Sequence, residues 1–189
     1  MPRLIYVTNM SLDGYIEGER GSIDFFPVDA DVFRSHTDLL QSAGTFLYGR
    51  RLYEMMAVWE TDATLAAQSD AMAEFASAWQ AVDKVVYSKT LTAASTARTR
   101  IERHLDPTAV RDLKAAADSD ITIGGADLAS QALQAGLVDE CQLYVLPTAL
   151  GGGKPALPTG ARVDLELIDE HRFGNGVVLL RYRPLGLPA

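Results

Sequence analysis

The sequence predicts an α/β fold built on a mainly parallel β-sheet with an antiparallel edge. Short buried strands alternate with helical segments along most of the chain, and this alternation is typical of parallel sheets whose strands are joined by helices. Near the end of the chain, Gly174-Asn175-Gly176 lies between two strand-like runs and indicates an antiparallel hairpin. With 189 residues, of which 48% are hydrophobic, we expect one domain over residues 1–189 with a sizeable core.

The first half of the chain contains three strand-like runs and three helical segments. Apolar and β-branched runs predict the strands, and apolar side chains that recur three and four residues apart predict the helices. The predicted strands are Arg3–Asn9, Thr45–Tyr48 and Lys84–Tyr87, and the predicted helices are Asp31–Ala43, Arg51–Ala57 and Ala71–Ala81. A glycine-containing loop from Met10 to Pro27 joins the first strand to the first helix.

The second half continues the alternation and ends in the hairpin. Pro107 is compatible with a helix start, because the first turn of a helix does not use its backbone N–H groups. The predicted strands are Thr96–Glu102, Ile121–Ile123, Glu140–Leu146, Val163–Ile168 and Val177–Tyr182, and the predicted helices are Pro107–Ala117 and a segment that ends at Gly136.

The segment Asp120–Gly136 is the most informative part of the chain. A β-branched strand ends on Gly124 and Gly125 and passes directly into an amphipathic helix. Glycine allows a ligand to approach the backbone closely, and the N-terminus of a helix favours an anion. The segment therefore predicts a phosphate-binding turn; a tight strand-to-helix turn without a ligand is the alternative interpretation.

Two further strand ends carry groups that can bind phosphate. Arg50 and Arg51 follow Gly49 at the start of a helix, where cations oppose the helix dipole, and such a local conflict often marks a site. Ser88 and Lys89 follow the next strand and offer a hydroxyl and an ammonium group. Solvated surface side chains are the alternative interpretation in both places.

Composition argues against several other classes of function. The net charge of −8 disfavours nucleic acid as a partner, and no apolar run approaches the roughly 18 residues that span a membrane. The single cysteine, Cys141, lies in an apolar run, so we expect a buried thiol, no internal disulfide and a cytoplasmic protein. The three histidines lie far apart in the sequence, which argues against a metal site.

Five segments in order resemble the dihydrofolate reductase-like superfamily, and among its members the proteins related to the C-terminal reductase domain of the riboflavin-biosynthesis protein RibD. The resemblance covers nearly the whole chain. The motifs are SLDGYI at Ser11–Ile16, LYGRRLYE at Leu47–Glu54, VVYSK at Val85–Lys89, TIGGADL at Thr122–Leu128 and VDECQLYVLPTALGGGKP at Val138–Pro155.

The resemblance implies a three-layer fold, with about eight strands in a central mixed sheet and helices on both faces. It also implies NADPH as the hydride donor: the nicotinamide near the first strand, the pyrophosphate against the glycine pair (often through a cis peptide bond) and the 2′-phosphate near Ser88 and Lys89. The implied cofactor-binding residues are Asn9, Ile16, Gly49, Arg50, Arg51, Ser88, Lys89, Gly124, Gly125, Ala126, Asp127 and Leu128.

The chain departs from the folate reductases at a residue that matters for their chemistry. Their first long helix carries a carboxylate that binds the pteridine, and the matching position here falls near Phe33. Asp31 lies two residues earlier, about 200° away around a helix, and would face elsewhere. We therefore expect poor reduction of dihydrofolate.

Residues for the substrate are less clearly indicated, and no catalytic residue is identified. Asp13 is more simply explained as a turn residue whose carboxylate accepts backbone N–H groups, with a substrate contact as the alternative. The candidates near the first loop and helix are Asp13, Arg20, Arg34 and His36, together with Asp31.

The leading hypothesis is a NADPH-dependent reductase of the riboflavin-biosynthesis type that acts on a small heterocyclic or ribosyl substrate. The alternatives are a nucleotide-binding protein of the same fold without catalysis, a flavin- or pterin-binding module, and a pterin or folate reductase. The resemblance also implies a homodimer, for which the closing hairpin and the segment after Pro147 offer apolar surface, including Leu150, Leu157 and Leu179.

Overall fold

The computed structural model describes residues 2–25 and 29–186. The strands are β1 (Leu4–Ser11), β2 (Tyr15–Glu17), β3 (Ala43–Gly49), β4 (Asp83–Tyr87), β5 (Thr99–Glu102), β6 (Asp120–Gly124), β7 (Glu140–Leu146), β8 (Lys154–Pro155), β9 (Leu165–Arg172) and β10 (Val178–Pro184). The helices are α1 (Ala30–Ser42), α2 (Arg50–Met56), α3 (Val58–Thr61), α4 (Ala63–Ala66), α5 (Asp70–Ala81), α6 (Pro107–Ala116) and α7 (Ala126–Gln134), with a 3₁₀ turn at Glu19–Gly21.

Eight of the strands form one central sheet in the order β5-β4-β3-β6-β1-β7-β10-β9. The six strands from β5 to β7 pair in parallel, and β10 is antiparallel to both β7 and β9. The prediction of a mainly parallel sheet with an antiparallel hairpin at one edge is thus confirmed. The carboxyl ends of the parallel strands meet at one side of the sheet, where α/β proteins place ligands.

Helices cover both faces of the sheet. On one face, α6 and α7 pack on a core that includes Leu47, Val85 and Ile121, and on the other, α1 and α5 pack around Phe46 and Val86. Cys141 lies in the first of these cores, and burial raises the pKa of its thiol to about 12, as expected for an inert core cysteine. Within the described residues, no helix is both long and apolar enough to cross a membrane.

The structure corrects the predicted course of the first loop. Residues 15–17 form β2, which pairs with β8 far away in sequence, and the 3₁₀ turn follows it; Pro27, the last residue of the predicted loop, lies outside the described residues. Gly153 makes the pairing possible, since a Cβ there would lie 1.9 Å from the carbonyl oxygen of Glu17. Neither short strand has a hydrophobic alternation that sequence reasoning could detect.

Other elements differ from the prediction at their ends. The strand predicted over Thr96–Glu102 begins only at Thr99, and the first strand of the hairpin runs from Leu165 to Arg172 instead of ending at Ile168. The two short helices α3 and α4 were not predicted. In the hairpin turn, the Asn175 side chain accepts a hydrogen bond from the Val177 N–H, and Gly176 has a φ of +89° that favours glycine.

Candidate cofactor and substrate site

A cavity of about 1050 Å³ lies at the carboxyl ends of the parallel strands. It extends from the end of β5 across β4, β3 and β6 to β1, and from there below α1, α2, α3 and α5. The twelve residues that the sequence suggests for the cofactor all line it: Asn9, Ile16, Gly49, Arg50, Arg51, Ser88, Lys89, Gly124, Gly125, Ala126, Asp127 and Leu128. The structure therefore brings the three strand ends with predicted phosphate-binding groups, those of β3, β4 and β6, together in one site.

The turn between β6 and α7 presents bare backbone to this cavity. Gly125 is the N-cap of α7 with a φ of +94°, and no side chain caps the helix there. The N–H groups of the first helical turn, Ala126 to Leu128, thus lack acceptors within the helix and can bind an anion. The peptide bond between Gly124 and Gly125 is trans, which corrects the expectation of a cis bond.

The two glycines are required for different reasons. A Cβ at Gly125 would stand 3.5 Å from the Gly49 N atom, an ordinary contact, so the constraint there is the positive φ. A Cβ at Gly124 would stand 2.5 Å from Leu52 Cδ2, so its methyl group would meet a side chain of the cavity wall rather than a dinucleotide directly.

Both arginines after β3 already have partners. Arg50 Nε lies 2.7 Å from a Glu54 carboxylate oxygen, and Arg51 Nη1 lies 2.9 Å from that of Glu17 on β2. The Arg50–Glu54 pair is half-exposed and contributes only about 0–1 kcal/mol, so an incoming phosphate can replace Glu54 at little cost, whereas the Glu17 side chain is only 14% exposed.

The residues after β4 differ in their freedom to bind a ligand. Ser88 Oγ accepts hydrogen bonds from the N–H groups of Thr90 and Leu91, which leaves its own O–H as a donor. Lys89 is exposed and makes no ion pair or side-chain hydrogen bond with any residue in the described part of the chain. Arg103, at the end of β5, donates to the carbonyl oxygens of Ser88 and Leu91 and so fixes this loop beside the cavity.

Sequence reasoning missed several polar groups at the same edge. Arg103 and His104 line the cavity, as does Lys154, whose ammonium lies 2.5 Å from a carboxylate oxygen of Asp127. Lys154 follows the glycine run Gly151–Gly153. Its position depends on the β2–β8 pairing, which no local pattern could indicate.

The far part of the cavity is an aromatic chamber formed by Phe33, Met55, Met56, Trp59, Met72 and Phe75. The ring of Phe75 lies 4.7 Å from that of Phe33 and 4.6 Å from that of Trp59, measured between centroids. These residues come from α1, α2, α3 and α5. Their helical spacing is that of ordinary core positions, so nothing in the sequence distinguished them as a ligand surface.

One face of α1 forms the wall between this chamber and β1. Phe33 and His36 line the cavity, whereas Asp31 and Arg34 are exposed and do not. As expected, Phe33 faces the cavity and Asp31 does not. Asp31 and Arg34 were candidate substrate residues, and their positions outside the cavity correct that suggestion. Asp29, which sequence reasoning missed, also lines the cavity and caps α1 by accepting from the N–H groups of Asp31 and Val32.

Asp13 lies outside the cavity wall and holds two loops together. Its carboxylate accepts hydrogen bonds from the Ser11 hydroxyl and from the N–H groups of Leu150 and Gly151. The Ser11 bond, followed by the two backbone bonds, lowers its pKa to about 2. These are the contacts that the sequence predicts for a turn residue. They replace the alternative in which Asp13 contacts the substrate. Arg20 is exposed on the 3₁₀ turn and does not line the cavity either.

His36 is the one sequence-suggested substrate residue that reaches the cavity. Its Nε2 lies 3.1 Å from Asn9 Oδ1, and its ring stacks on Tyr144 with 4.1 Å between centroids. Burial lowers its pKa to about 4, so the imidazole is neutral at pH 7 and can exchange hydrogen bonds without carrying a charge. Among the described residues, no cluster of His, Cys, Asp or Glu side chains has a metal-binding arrangement.

Three solved structures share this fold. A putative riboflavin biosynthesis protein from Shewanella sp. PV-4 matches with a TM-score of 0.75 and 20% identity, covering 96% of this chain and 98% of that one. A pyrimidine reductase-like protein from Corynebacterium diphtheriae gives 0.62 and 17%, covering 97% and 92%. A Thermotoga maritima diaminohydroxyphosphoribosylaminopyrimidine deaminase/5-amino-6-(5-phosphoribosylamino)uracil reductase gives 0.64 and 14%, covering 97% of this chain but 56% of the bifunctional protein.

Sequence comparison is more specific than these structural likenesses. The Bacillus subtilis (strain 168) protein YyaP, whose function is uncharacterized, is 31% identical over 182 residues, which cover 95% of this chain and 94% of YyaP. The family model of the RibD C-terminal domain matches residues 2–179. The chain belongs to the RibD C-terminal domain family and has its dihydrofolate reductase-like fold.

Proposed function

We propose that this protein is a NADPH-dependent reductase that transfers hydride to a small heterocyclic or ribosyl acceptor, as the riboflavin-biosynthesis reductases of its family do. The observation that carries the proposal is the cavity that joins the ends of β4, β3, β6 and β1. Its volume of about 1050 Å³ is at the upper end of the range of about 300–1,000 Å³ for ligand sites. It therefore has room for a dinucleotide and a small second ligand.

The donor groups along this cavity fit an extended dinucleotide with phosphates at one end and in the middle. The uncapped N-terminus of α7 offers N–H groups to the pyrophosphate, with Arg50 and Arg51 beside it. Ser88 and Lys89 would bind the 2′-phosphate, and Asn9 and Ile16 would orient the nicotinamide at β1. The cofactor supplies the hydride when bound, and the chain binds and orients both ligands and excludes water.

Calorimetric titration of the protein with NADPH and with NADH tests the cofactor assignment. Because a charge-assisted hydrogen bond contributes about 1.5–3 kcal/mol, we expect NADPH to bind about ten- to a hundred-fold more tightly. Equal dissociation constants for the two cofactors contradict the assignment. NADPH oxidation in the presence of candidate acceptors then tests the reductase activity.

A nucleotide-binding protein without catalysis is the second candidate. Phe33 favours it, because the helix position that carries a carboxylate in folate reductases has no acidic group here. Cofactor binding is expected for both candidates, and only acceptor-dependent oxidation of NADPH distinguishes them. The pterin or folate reductase is disfavoured by the same missing carboxylate at Phe33.

A further inference from the structure

The charges that line the cavity are unevenly distributed. Its wall contains five Lys and Arg residues, which lie on the first turn of α2, in the loops after β4 and β5, or on β8: Arg50, Arg51, Lys89, Arg103 and Lys154. None of the α1, α3, α4 or α5 residues in the wall carries a positive charge, among the residues that the structure describes. A phosphate bound in the far part of the cavity would therefore have no cation from these helices.

The aromatic chamber has an apolar wall with the chemistry to hold a flat ring. Phe33, Trp59 and Phe75 pack on one another in this wall with their ring centroids 4.6–5.8 Å apart, and Met55, Met56 and Met72 complete the surface. Aromatic faces and thioethers favour contact with other aromatic rings. Moving a charged phosphate from water onto such a surface is strongly unfavourable without a paired cation.

The polar groups near this chamber are neutral or acidic, apart from Arg51, whose charge is paired with Glu17. His36 and Asn9 bond to each other beside β1, and Thr122 on the adjacent strand also lines the cavity. The charged groups at the rim towards α1 are the carboxylates of Asp29 and Glu17, and Glu17 already pairs with Arg51. Neutral donors and acceptors can bind ring carbonyl and ring nitrogen atoms, whereas the Asp29 carboxylate repels a phosphate.

We propose that the hydride acceptor of this protein is an uncharged planar aromatic or heteroaromatic compound without a phosphate group, and that it stacks in the aromatic chamber. This proposal rests on the proposed reductase function and narrows its substrate class. Its acceptor differs from a phosphoribosyl substrate, because the phosphate-binding groups are all at the dinucleotide part of the cavity. His36 and Thr122 would bind the polar edge of the ring.

Matched pairs of probes with and without a phosphate test the proposal. The binding of riboflavin is compared with that of riboflavin 5′-phosphate, and the binding of inosine with that of inosine 5′-phosphate. The protein is saturated with NADP⁺, so that the dinucleotide part of the cavity is occupied and no hydride is transferred. Trp59 lines the chamber while Trp79 is fully buried, so quenching that disappears in Trp59→Phe reports on the chamber. We expect the uncharged member to bind about tenfold more tightly.

A charge introduced into the chamber provides a gain-of-binding test. Met55 lines the cavity and is 41% exposed, so Met55→Arg adds a cation at a position that tolerates it. We expect riboflavin 5′-phosphate to bind about tenfold more tightly to this variant, with riboflavin little changed. Val58→Arg is the matched control, since Val58 is 38% exposed but does not line the cavity.

The outcomes separate this proposal from the proposed function. A phosphate-bearing probe that binds the unmodified protein as tightly as its partner overturns the proposal, as does failure of both uncharged probes to quench Trp59. If calorimetry detects no NADP⁺ binding, the proposed function fails. The quenching of Trp59 in the protein without NADP⁺ then still tests whether the chamber prefers the uncharged probes. The affinities of Met55→Arg and Val58→Arg for riboflavin 5′-phosphate test the same preference.

Discussion

Phe33 illustrates how one residue on a helix face can change the acceptors that fit. Its ring packs on Phe75 in the cavity wall and offers no acceptor for a pteridine. We predict that dihydrofolate is a poor substrate and methotrexate a weak ligand. Unpaired pteridine donors cost about 1–3 kcal/mol, and the missing acid–base contribution is typically about 10²–10⁴-fold in rate.

The measurement is NADPH oxidation with dihydrofolate, followed by the absorbance of the nicotinamide. Brisk turnover would contradict the prediction. Asp31 could not then be the missing acid, because it is exposed and does not line the cavity. The carboxylate to test would be Asp29, which caps α1 and faces the cavity one helical turn before Phe33.

Lys89 is the residue on which the choice between NADPH and NADH should depend most directly. Its ammonium has no partner in the described part of the chain, so binding a phosphate there breaks no existing interaction. We predict that Lys89→Gln weakens NADPH binding about tenfold and leaves NADH binding unchanged, because NADH has no 2′-phosphate. Arg162→Gln removes the same charge at a residue outside the cavity and serves as the control.

His36 should make the stability of the protein depend on pH. Burial lowers its pKa from 6.5 to about 4, so the unfolded chain binds more protons than the folded one between these values. The free energy of unfolding therefore falls as the pH drops from 6.5 towards 4. Urea denaturation at pH 7 and pH 5 should show the parent losing roughly 1–2 kcal/mol more than His36→Gln. If the parent and His36→Gln lose the same free energy of unfolding between pH 7 and pH 5, the pH dependence does not come from His36.

At the scale of elements, the turn between β6 and α7 combines backbone conformation with ligand binding. Gly125 has a φ of +94°, a conformation that costs an L-residue about 1–3 kcal/mol. We predict that Gly125→Ala lowers the free energy of unfolding by about this amount and weakens NADPH binding, because the N–H groups of α7 shift. Gly174→Ala is the control, since its Cβ would meet open space and its φ is not positive. Unchanged NADPH affinity in Gly125→Ala would leave only the turn interpretation.

The elements that sequence reasoning identified are those with a strong local pattern. The strand β7 has the predicted bounds Glu140–Leu146, and its residues are nearly all buried, so their apolar character is visible in the sequence. By contrast, β2 and β8 depend on a pairing between residues 15–17 and 154–155, and on the close approach that Gly153 permits. Local patterns do not contain such information.

At the scale of the whole molecule, the difference between local patterns and contacts distant in sequence explains how much of the site could be predicted. Residues at the ends of parallel strands were found because topology brings strand ends together wherever the sheet is parallel. The aromatic chamber was not found, because Phe75 and Met72 have the helical spacing of core residues and only the assembled helices show that they face a cavity. Sequence thus indicated the dinucleotide part and left the acceptor part undefined.

The edge strand β9 of the central sheet is relevant to the oligomeric state of the protein. The leucines suggested for a dimer surface offer little exposed area, since Leu179 is buried and Leu150 and Leu157 are half-buried within the chain. Exposed apolar side chains occur instead on β9, where Leu167 is 48% and Ile168 is 38% exposed. Within the described residues, β9 pairs only with β10, so its other edge is unpaired. An unpaired edge with apolar side chains is a favourable surface for a second copy.

We therefore predict a homodimer of about 41 kDa, twice the chain mass of 20.5 kDa, with β9 at the interface. Multi-angle light scattering at several concentrations measures the mass directly. Leu167→Lys should shift the mass towards that of the monomer, because the interface would then bury an ammonium group without a partner. Leu12→Lys places the same charge at a 69% exposed leucine on the loop after β1 and should leave the mass unchanged. A monomer at all concentrations would contradict the dimer, and a dimer that resists Leu167→Lys would place its interface elsewhere than β9.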